Sequence, residues 1–440
     1  MKRILQLILV LAALALLSGC NISTVDDFYC LPRRSEDYLN LQSAIDAVMT
    51  DLEYCAPISG ENQQTVQMAD LDGDGTDEYL LFAKGSTERP LQIFIFSQQG
   101  EEYVLMDTIE SNGTAFEQVE YIHMGDDGGY ELVVGRQVSD QVVRSVSVYS
   151  MADGQMEQVL ATSYSRFVCT DLDGDDLTEL LILRPGESDS GSGVAELYYM
   201  ADGIVQRWPE VNMSEPADQV KRIMVSRLND GTPAVYVASD AGSSAIITDV
   251  YAVVEDAFVN VSFSNESGTS VQTLRNYYVY ADDIDDDGVL ELPSLIERPQ
   301  TLELDNDSQE QYLIRWYAMM PDGSEVDKLY TYHNFLGGWY LTLDGQLAAN
   351  VLVSQVGNTF EFYWWDEEAG ETELLFSVYV LTGQNREAQA TANNRFVLYR
   401  NESTVYAARI EVASTAYGLS QSVMEESFHL ILQDWNTGET

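Results

Sequence analysis

One nine-residue acidic pattern recurs along this 440-residue chain, and it constrains the fold more than any other feature. It reads Asp70-Leu-Asp72-Gly-Asp74-Gly-Thr-Asp-Glu78, then Asp171-Leu-Asp173-Gly-Asp175-Asp-Leu-Thr-Glu179, then Asp283-Ile-Asp285-Asp-Asp287-Gly-Val-Leu-Glu291. Carboxylates stand at positions 1, 3, 5 and 9 of each copy. A strand-like run precedes each (65–68, 166–169, 276–280), and an apolar run follows (79–83, 180–183, 292–296). Two degenerate copies lie between them. His123-Met-Gly125-Asp-Asp127-Gly-Gly-Tyr-Glu131 keeps the acids at 5 and 9, and Ser226-Arg-Leu-Asn-Asp230-Gly-Thr-Pro-Ala234 keeps the fifth acid and its glycine. The copies begin at 70, 123, 171, 226 and 283, in steps of 53, 48, 55 and 57 residues. Further strand-like runs fill each interval (91–97 and 103–109, 144–149 and 156–160, 194–200 and 203–208), and helical periodicity is missing from about 60 to 340.

That period matches one four-stranded propeller blade with its loops. The reading is a mainly β chain: a β-propeller of about five four-stranded blades, or seven if divergent strands complete it. Alternating carboxylates place oxygens on one side of a tight turn, and glycines allow the left-handed backbone that wraps an ion. Calcium takes six to eight such hard oxygen ligands in flexible geometry. Without a cation the clustered carboxylates repel one another. An EF-hand needs an acid at position 12 and flanking helices. Position 12 is Leu81, Ile182 and Ser294, and the flanks read as strands, which excludes the EF-hand and the dockerin loop with it.

The pattern resembles the FG-GAP or VCBS repeats found in the propeller head of integrin α chains, over roughly residues 60 to 335. The resemblance implies about three Ca2+ sites. Their side-chain ligands would be Asp70, Asp72, Asp74 and Glu78, then Asp171, Asp173, Asp175 and Glu179, then Asp283, Asp285, Asp287 and Glu291. Thr76, Leu177 and Val289 would give backbone carbonyls. The chain departs from the family at His123 and Gly125, where two ligands are replaced, and at Ser226, Leu228 and Ala234. Neither degenerate loop is expected to hold calcium tightly. Integrin-type propellers also have seven blades against the five repeats here.

The first nineteen residues read as a leader. Lys2 and Arg3 precede an apolar run from Ile4 to Leu17, too short and wrongly flanked for a spanning helix. Leu17-Ser18-Gly19-Cys20 resembles the lipobox of bacterial lipoproteins. The resemblance implies cleavage before Cys20, lipidation of its sulfur and anchoring on the extracytoplasmic face of the cell membrane, where several acyl chains hold firmly. A formal charge of −50 argues against nucleic acid or anionic lipid as partners. Hydrophobic residues make up 45% of the chain and there are 26 tyrosines, enough for a sizeable core. Cys30 and Cys55 flank a predicted helix in a compartment that permits a disulfide, a pairing left open by the sequence. Cys169 reads as a buried free thiol.

The remaining pieces are a lipidated N-terminal linker with a short helix (20–59, helical over 36–53 from Leu41, Ile45, Val48, Met49 and Leu52) and a small C-terminal α+β domain (336–440). The latter should open with a strand at Gly337-Gly338-Trp339-Tyr340, continue through strands at 360–365, 374–381 and 395–399 as a meander, and end in a helix. That helix would carry Phe428, Ile431, Leu432 and Trp435 on one face and a Ser422–Glu425 capping box. Trp339, Trp364 and Trp365 suit sugar stacking, but packing in the sheet is the preferred reading. Asp305-Asn306-Asp307 lacks the loop spacing and reads as a turn. His123, His333 and His429 are scattered, and neither a Gly-x-Ser-x-Gly elbow nor a phosphate loop is present. No catalytic residue is assigned. The expectation is a non-catalytic, calcium-stabilised surface module binding or scaffolding a protein, glycan or envelope component. The alternative is an extracytoplasmic hydrolase acting on polysaccharide or peptide.

Overall fold

The computed structural model describes residues 36–431 except 127, 139–143, 153, 187–190, 243–244, 277–278, 297–310, 336 and 367. The chain is mainly β, in antiparallel sheets of four or five strands. Its described residues form two compact units: 36–56 with 64–69 and 76–112, and 57–63 with 70–75 and 113–431.

The smaller unit holds helix α1 (Glu36–Val48) and one sheet. Its strands are β1 (Glu53–Tyr54), β2 (Val66–Ala69), β3 (Glu78–Lys84), β4 (Leu91–Gln99) and β5 (Glu102–Ser111), ordered β1-β3-β4-β5 with β2 also on β3. Leu41, Ile45 and Val48 recur at helical spacing and pack on Leu81, Ala83, Phe94 and Phe96. The helix is shorter than the sequence suggests, ending before Met49 and Leu52, although both join the same cluster.

The larger unit begins with a sheet of β6 (Ala115–Ile122), β7 (Glu131–Gln137), β8 (Arg144–Ala152) and β9 (Gln155–Tyr164). The next has β10 (Arg166–Thr170), β11 (Glu179–Pro185), β12 (Gly193–Ala201) and β13 (Ile204–Arg207), with β14 (Val211–Asn212) added on β12. A four-stranded sheet of β15 (Val220–Arg227), β16 (Pro233–Asp240), β17 (Ile246–Val254) and β18 (Ala257–Asn260) follows. These sheets pack face to face in succession. Val133, Val146 and Val148 meet Phe167, Leu180 and Ile182. On the other face of β11, Leu181 and Leu183 meet Val235 and Val237. A strand buried on both faces has no polar side, which explains the continuous run Glu179-Leu-Leu-Ile-Leu, buried throughout.

The fifth sheet runs across residue 336, where the sequence placed the start of a C-terminal domain. Its order is β19 (Leu292–Leu295), β20 (Gln311–Met319), β21 (Glu325–Asn334), β22 (Trp339–Leu343) and β28 (Phe428–Leu430). The Trp339 strand thus completes this sheet rather than opening another one. The strand expected over 276–280 does not form among the described residues. An isolated bridge, Asp282–Glu291, stands there instead. The buried guanidinium of Arg275 donates to the carbonyls of Val279 and Thr273, so a side chain satisfies backbone groups that a ladder would otherwise pair.

The last sheet takes α2 (Gly345–Asn350), β23 (Val351–Val356), β24 (Thr359–Asp366), β25 (Glu371–Thr382), α3 (Arg386–Ala390), β26 (Phe396–Arg400) and β27 (Thr404–Ile410). Its order is β23-β24-β25-β27-β26, so β27 inserts where a meander would put β26. It packs through Phe362, Phe376 and Val378 on Tyr332, Trp339 and Leu341 of the fifth sheet. Trp339 is fully buried there, while Trp364 packs against Tyr417 at 4.4 Å, in accord with packing roles. The terminal helix is short: α4 (Gln421–Ser427) is capped by Ser420, whose hydroxyl accepts from Val423 N, not by Ser422. Phe428 leaves the helix because its backbone pairs with Leu341. Leu432 and Trp435 lie outside the described residues.

The second residue of a loop also feeds this stack. Leu172 is fully buried between two sheets and Met124 sits likewise one sheet earlier. Leu172→Ala should cost about 2–5 kcal/mol of stability, seen as a lower urea midpoint at unchanged m-value. A loss under about 0.5 kcal/mol, the range of ordinary surface substitutions, would show that this position is not packed.

Candidate metal loops

The complete loops share one backbone design. In the Asp171 loop, Asp171 Oδ1 accepts from Gly174 N at 2.7 Å and its Oδ2 from Asp176 N at 3.1 Å. Asp173 Oδ1 accepts from Asp175 N at 3.2 Å, and Asp175 Oδ1 from Leu177 N at 2.9 Å. In the Asp283 loop, Asp283 accepts from Asp287 N and Gly288 N, both at 2.9 Å, and Asp287 Oδ1 from Val289 N at 2.9 Å. Positions four and six are left-handed in each: Gly174 (φ 84°) and Asp176 (71°), then Asp286 (60°) and Gly288 (84°). Aspartate tolerates that region better than most residues, which lets it replace glycine at 176 and 286.

The closing glutamate joins each loop to the core. Glu179 and Glu291 are buried at the start of the following apolar run, and each Oε2 accepts from the N–H of position two, Leu172 at 2.7 Å and Ile284 at 3.1 Å. Oxygens of Asp171, Asp173 and Glu179 lie within 4.8 Å of one another, and so do those of Asp283, Asp285 and Glu291. At that spacing each ionised pair repels by on the order of 3 kcal/mol at an effective dielectric near 20. Burial, with the neighbouring aspartates adding to it, pushes Glu179 and Glu291 up to about 8. Asp173 and Asp285 are raised by burial and then by the charges of Asp175 and Asp287. Glu291 is fully buried, and its Oε1 has no hydrogen-bond partner. These are oxygen-only donor sets, suited to a hard divalent cation and not to the nitrogen and sulfur preferences of zinc.

The Asp70 loop is divided between the units. Asp70, Asp72 and Asp74 belong to the larger one, Thr76 and the buried Glu78 to the smaller. Within the larger unit, Asp70 Oδ2 accepts from Gly75 N at 2.9 Å and Asp72 Oδ1 from Asp74 N at 3.1 Å, the bonds seen again in the Asp171 loop. Asp70 Oδ1 is buried without a hydrogen-bond partner.

The degenerate loops keep the scaffold and change the filling. Glu131 is buried and accepts from Met124 N at 2.8 Å, while its other oxygen accepts from Ser150 Oγ at 3.3 Å. His123 folds onto its own loop, with Nδ1 3.0 Å from the Gly129 carbonyl and its ring stacked on Tyr130 at 3.8 Å. In the Ser226 loop, Asp230 Oδ1 accepts from Thr232 N at 3.0 Å and Gly231 has φ 95°. The fifth acid and the glycine after it therefore have a turn-forming role, and they are the two features that survive in the most eroded copy.

Three features escaped the sequence reading. Lys328 of β21 places Nζ 2.6 Å from Asp287 Oδ2, and that contact holds the Asp287 carboxyl below its usual range. Successive loops are latched, with Tyr130 N donating to the Asp70 carbonyl at 2.9 Å and Thr178 N to the His123 carbonyl at 2.6 Å. The corresponding residue of the Ser226 loop is Pro233, which has no N–H to give. Gly129 permits this approach, since a Cβ there would stand 2.5 Å from the Leu71 carbonyl. The apolar second position (Leu71, Met124, Leu172, Ile284) was the one legible signal.

Elsewhere, Cys20 and Cys30 lie outside the described residues, and Cys55 and Cys169 are free, half-buried thiols. Burial pushes the Cys169 thiol up. His333 is enclosed by Trp316 and Tyr340, and burial lowers it to about 3, so it is neutral in ordinary buffers.

No family model and no curated protein matches the chain. Among solved structures it is similar to the exotype rhamnogalacturonan lyase YesX at 13% identity and TM-score 0.29, covering 74% of this chain and 65% of that one. It therefore spans a little under two thirds of that lyase. A rhamnogalacturonan lyase from Bacillus licheniformis is similar at 12% identity and TM-score 0.28, over 73% of this chain and 72% of that one. A protein from Lactobacillus plantarum is similar at 11% identity and TM-score 0.24, over 72% and 85%. Likeness at this level says nothing of the reaction, if any, that this chain performs.

Glutamates raised from 4.5 to about 8 bind protons more tightly in the folded than in the unfolded chain. Their contribution to stability is therefore complete below pH 4.5 and is lost as pH rises toward 8. Thermal unfolding in chelator should give a lower Tm at pH 8 than at pH 5, and Glu291→Gln should flatten the decline. A decline of equal size in both proteins would show that Glu291 is not a strained buried charge.

Proposed function

We propose that this chain is an exported, lipid-anchored protein whose complete acidic loops each take a calcium ion. The ions brace a β-propeller that binds or scaffolds a protein, glycan or envelope component. The observation that carries the metal reading is the buried, partnerless Glu291 Oε1, grouped with oxygens of Asp283 and Asp285 in a preformed turn. A buried carboxylate oxygen without a donor is costly, and a cation meets that cost directly. Five regularly spaced loops, with sheets packed face to face between them, support the propeller. The lipobox at Leu17–Cys20 supports the anchor and the extracytoplasmic location. Calcium here fixes loop geometry, since the acids recur at equivalent strand junctions and not at a single cleft.

Calorimetry at neutral pH should show one ion bound per complete loop, with Asp173→Asn and Asp285→Asn each removing one. At a hundredfold excess over Kd each ion should add about 2.7 kcal/mol of stability, and Tm should rise accordingly. Neither heat nor a Tm change in millimolar calcium would overturn the assignment. The alternative, an enzyme acting on polysaccharide or peptide, is tested by incubation with rhamnogalacturonan, the substrate class named for the compared lyases. Release of shortened chains would replace the binding reading with a catalytic one.

A further inference from the structure

The chain has 22 lysines and arginines against 72 acids, yet arginines gather at the ends of β7 to β10. Arg144 opens β8 and Arg166 opens β10, at the opposite end of these strands from the Asp171 loop. Arg144 Nη1 and Arg166 Nη1 both donate to the carbonyl of Ser165, at 3.0 and 3.1 Å. Two guanidiniums are thereby held on one oxygen, against their mutual repulsion. Arg144 has a carboxylate, Glu117 at 3.3 Å, which also accepts from the Gln137 amide. Arg166 is exposed and makes no close ion pair among the described residues, though it feels the charge of Glu117. Beside them Tyr164, 6% exposed, has a hydroxyl without a hydrogen-bond partner. It sits over Gly135, where a Cβ would come within 2.6 Å of it. Arg136 of β7 adds a third guanidinium, bonded to Ser147 Oγ at 2.9 Å.

We propose that Arg144, Arg166 and Tyr164 form an anion site for a single carboxylate or phosphate group, as borne by a uronic-acid saccharide or a free phosphate. Arginine pairs recognise such planar or tetrahedral anions through charge-assisted bonds, and a phenol hydroxyl supplies one donor more. The −50 net charge does not forbid it, because ionic strength screens acids beyond about 8 Å. Local charge then decides, and here the three guanidiniums of Arg136, Arg144 and Arg166 face one carboxylate, Glu117. The site does not depend on the calcium reading.

The test uses the full chain in calcium, with trigalacturonate, a neutral trisaccharide and inorganic phosphate titrated separately by calorimetry. Trigalacturonate or phosphate should bind, the neutral sugar should not, and affinity should fall as salt is raised. Arg166→Gln should weaken binding roughly tenfold or more at unchanged Tm, since the side chain is exposed. Tyr164→Phe should weaken it less, and Arg400→Gln, at another paired surface arginine, should leave it unchanged. Competition between the two ligands would assign the site to a saccharide carboxylate, and phosphate binding alone would assign it to a free anion. Binding of neither, or affinity unaltered in Arg166→Gln, would overturn the proposal.

Discussion

Three of the loops turn on a buried carboxylate bonded to a backbone N–H. Glu131, Glu179 and Glu291 each stand where a loop enters the buried start of the next strand, and each accepts from the N–H of the loop's second residue. That bond fixes the loop's width and drives the second side chain into the apolar stack, where burial of a leucine stabilises by about 1.5–3 kcal/mol. The same bond leaves a charge in a dry place. The aspartates around it raise its energy further, and this is the cost that the proposed cation would offset.

Packing and electrostatics meet at these junctions. A strand such as β11 gives Leu180 and Ile182 to one neighbouring sheet and Leu181 and Leu183 to the other. In β11 the polar side chains are therefore confined to the ends, Glu179 at one and Arg184 near the other. In the β10–β14 sheet, carboxylates crowd the turn between β10 and β11, while the guanidiniums of Arg144 and Arg166 sit at the far ends of β8 and β10. The latch from Thr178 N to the His123 carbonyl ties the backbones of neighbouring loops together.

The repeat was legible because its acids sit at fixed positions in an otherwise apolar rhythm, and the strands beside it followed from that spacing. The failures have local causes. Residues 276–280 look like a strand, but the Arg275 side chain takes up the Val279 carbonyl. Phe428 fits a helical face by periodicity, yet it pairs with Leu341, far away in sequence. Trp339 seemed to begin a domain, since nothing local reveals that its strand belongs to the sheet before it. Lys328 lies 41 residues from Asp287, a partnership only the tertiary fold creates.

The eroded loops separate the scaffold from its filling. In the His123 loop the closing Glu131 keeps its backbone bond, and its second oxygen is met by the hydroxyl of Ser150. In the Asp283 loop the second oxygen of Glu291 has no hydrogen-bond donor. A serine on a neighbouring strand thus does for one glutamate what the proposed ion does for another. The Ser226 loop goes further and drops the glutamate, retaining Asp230 and Gly231 for the turn alone. The Ser150 hydroxyl is one answer to the desolvated oxygen, the absence of the carboxylate is another, and the proposed cation would be a third. The turn geometry thus persists in the Ser226 loop, where the acids at positions 1, 3 and 9 are absent.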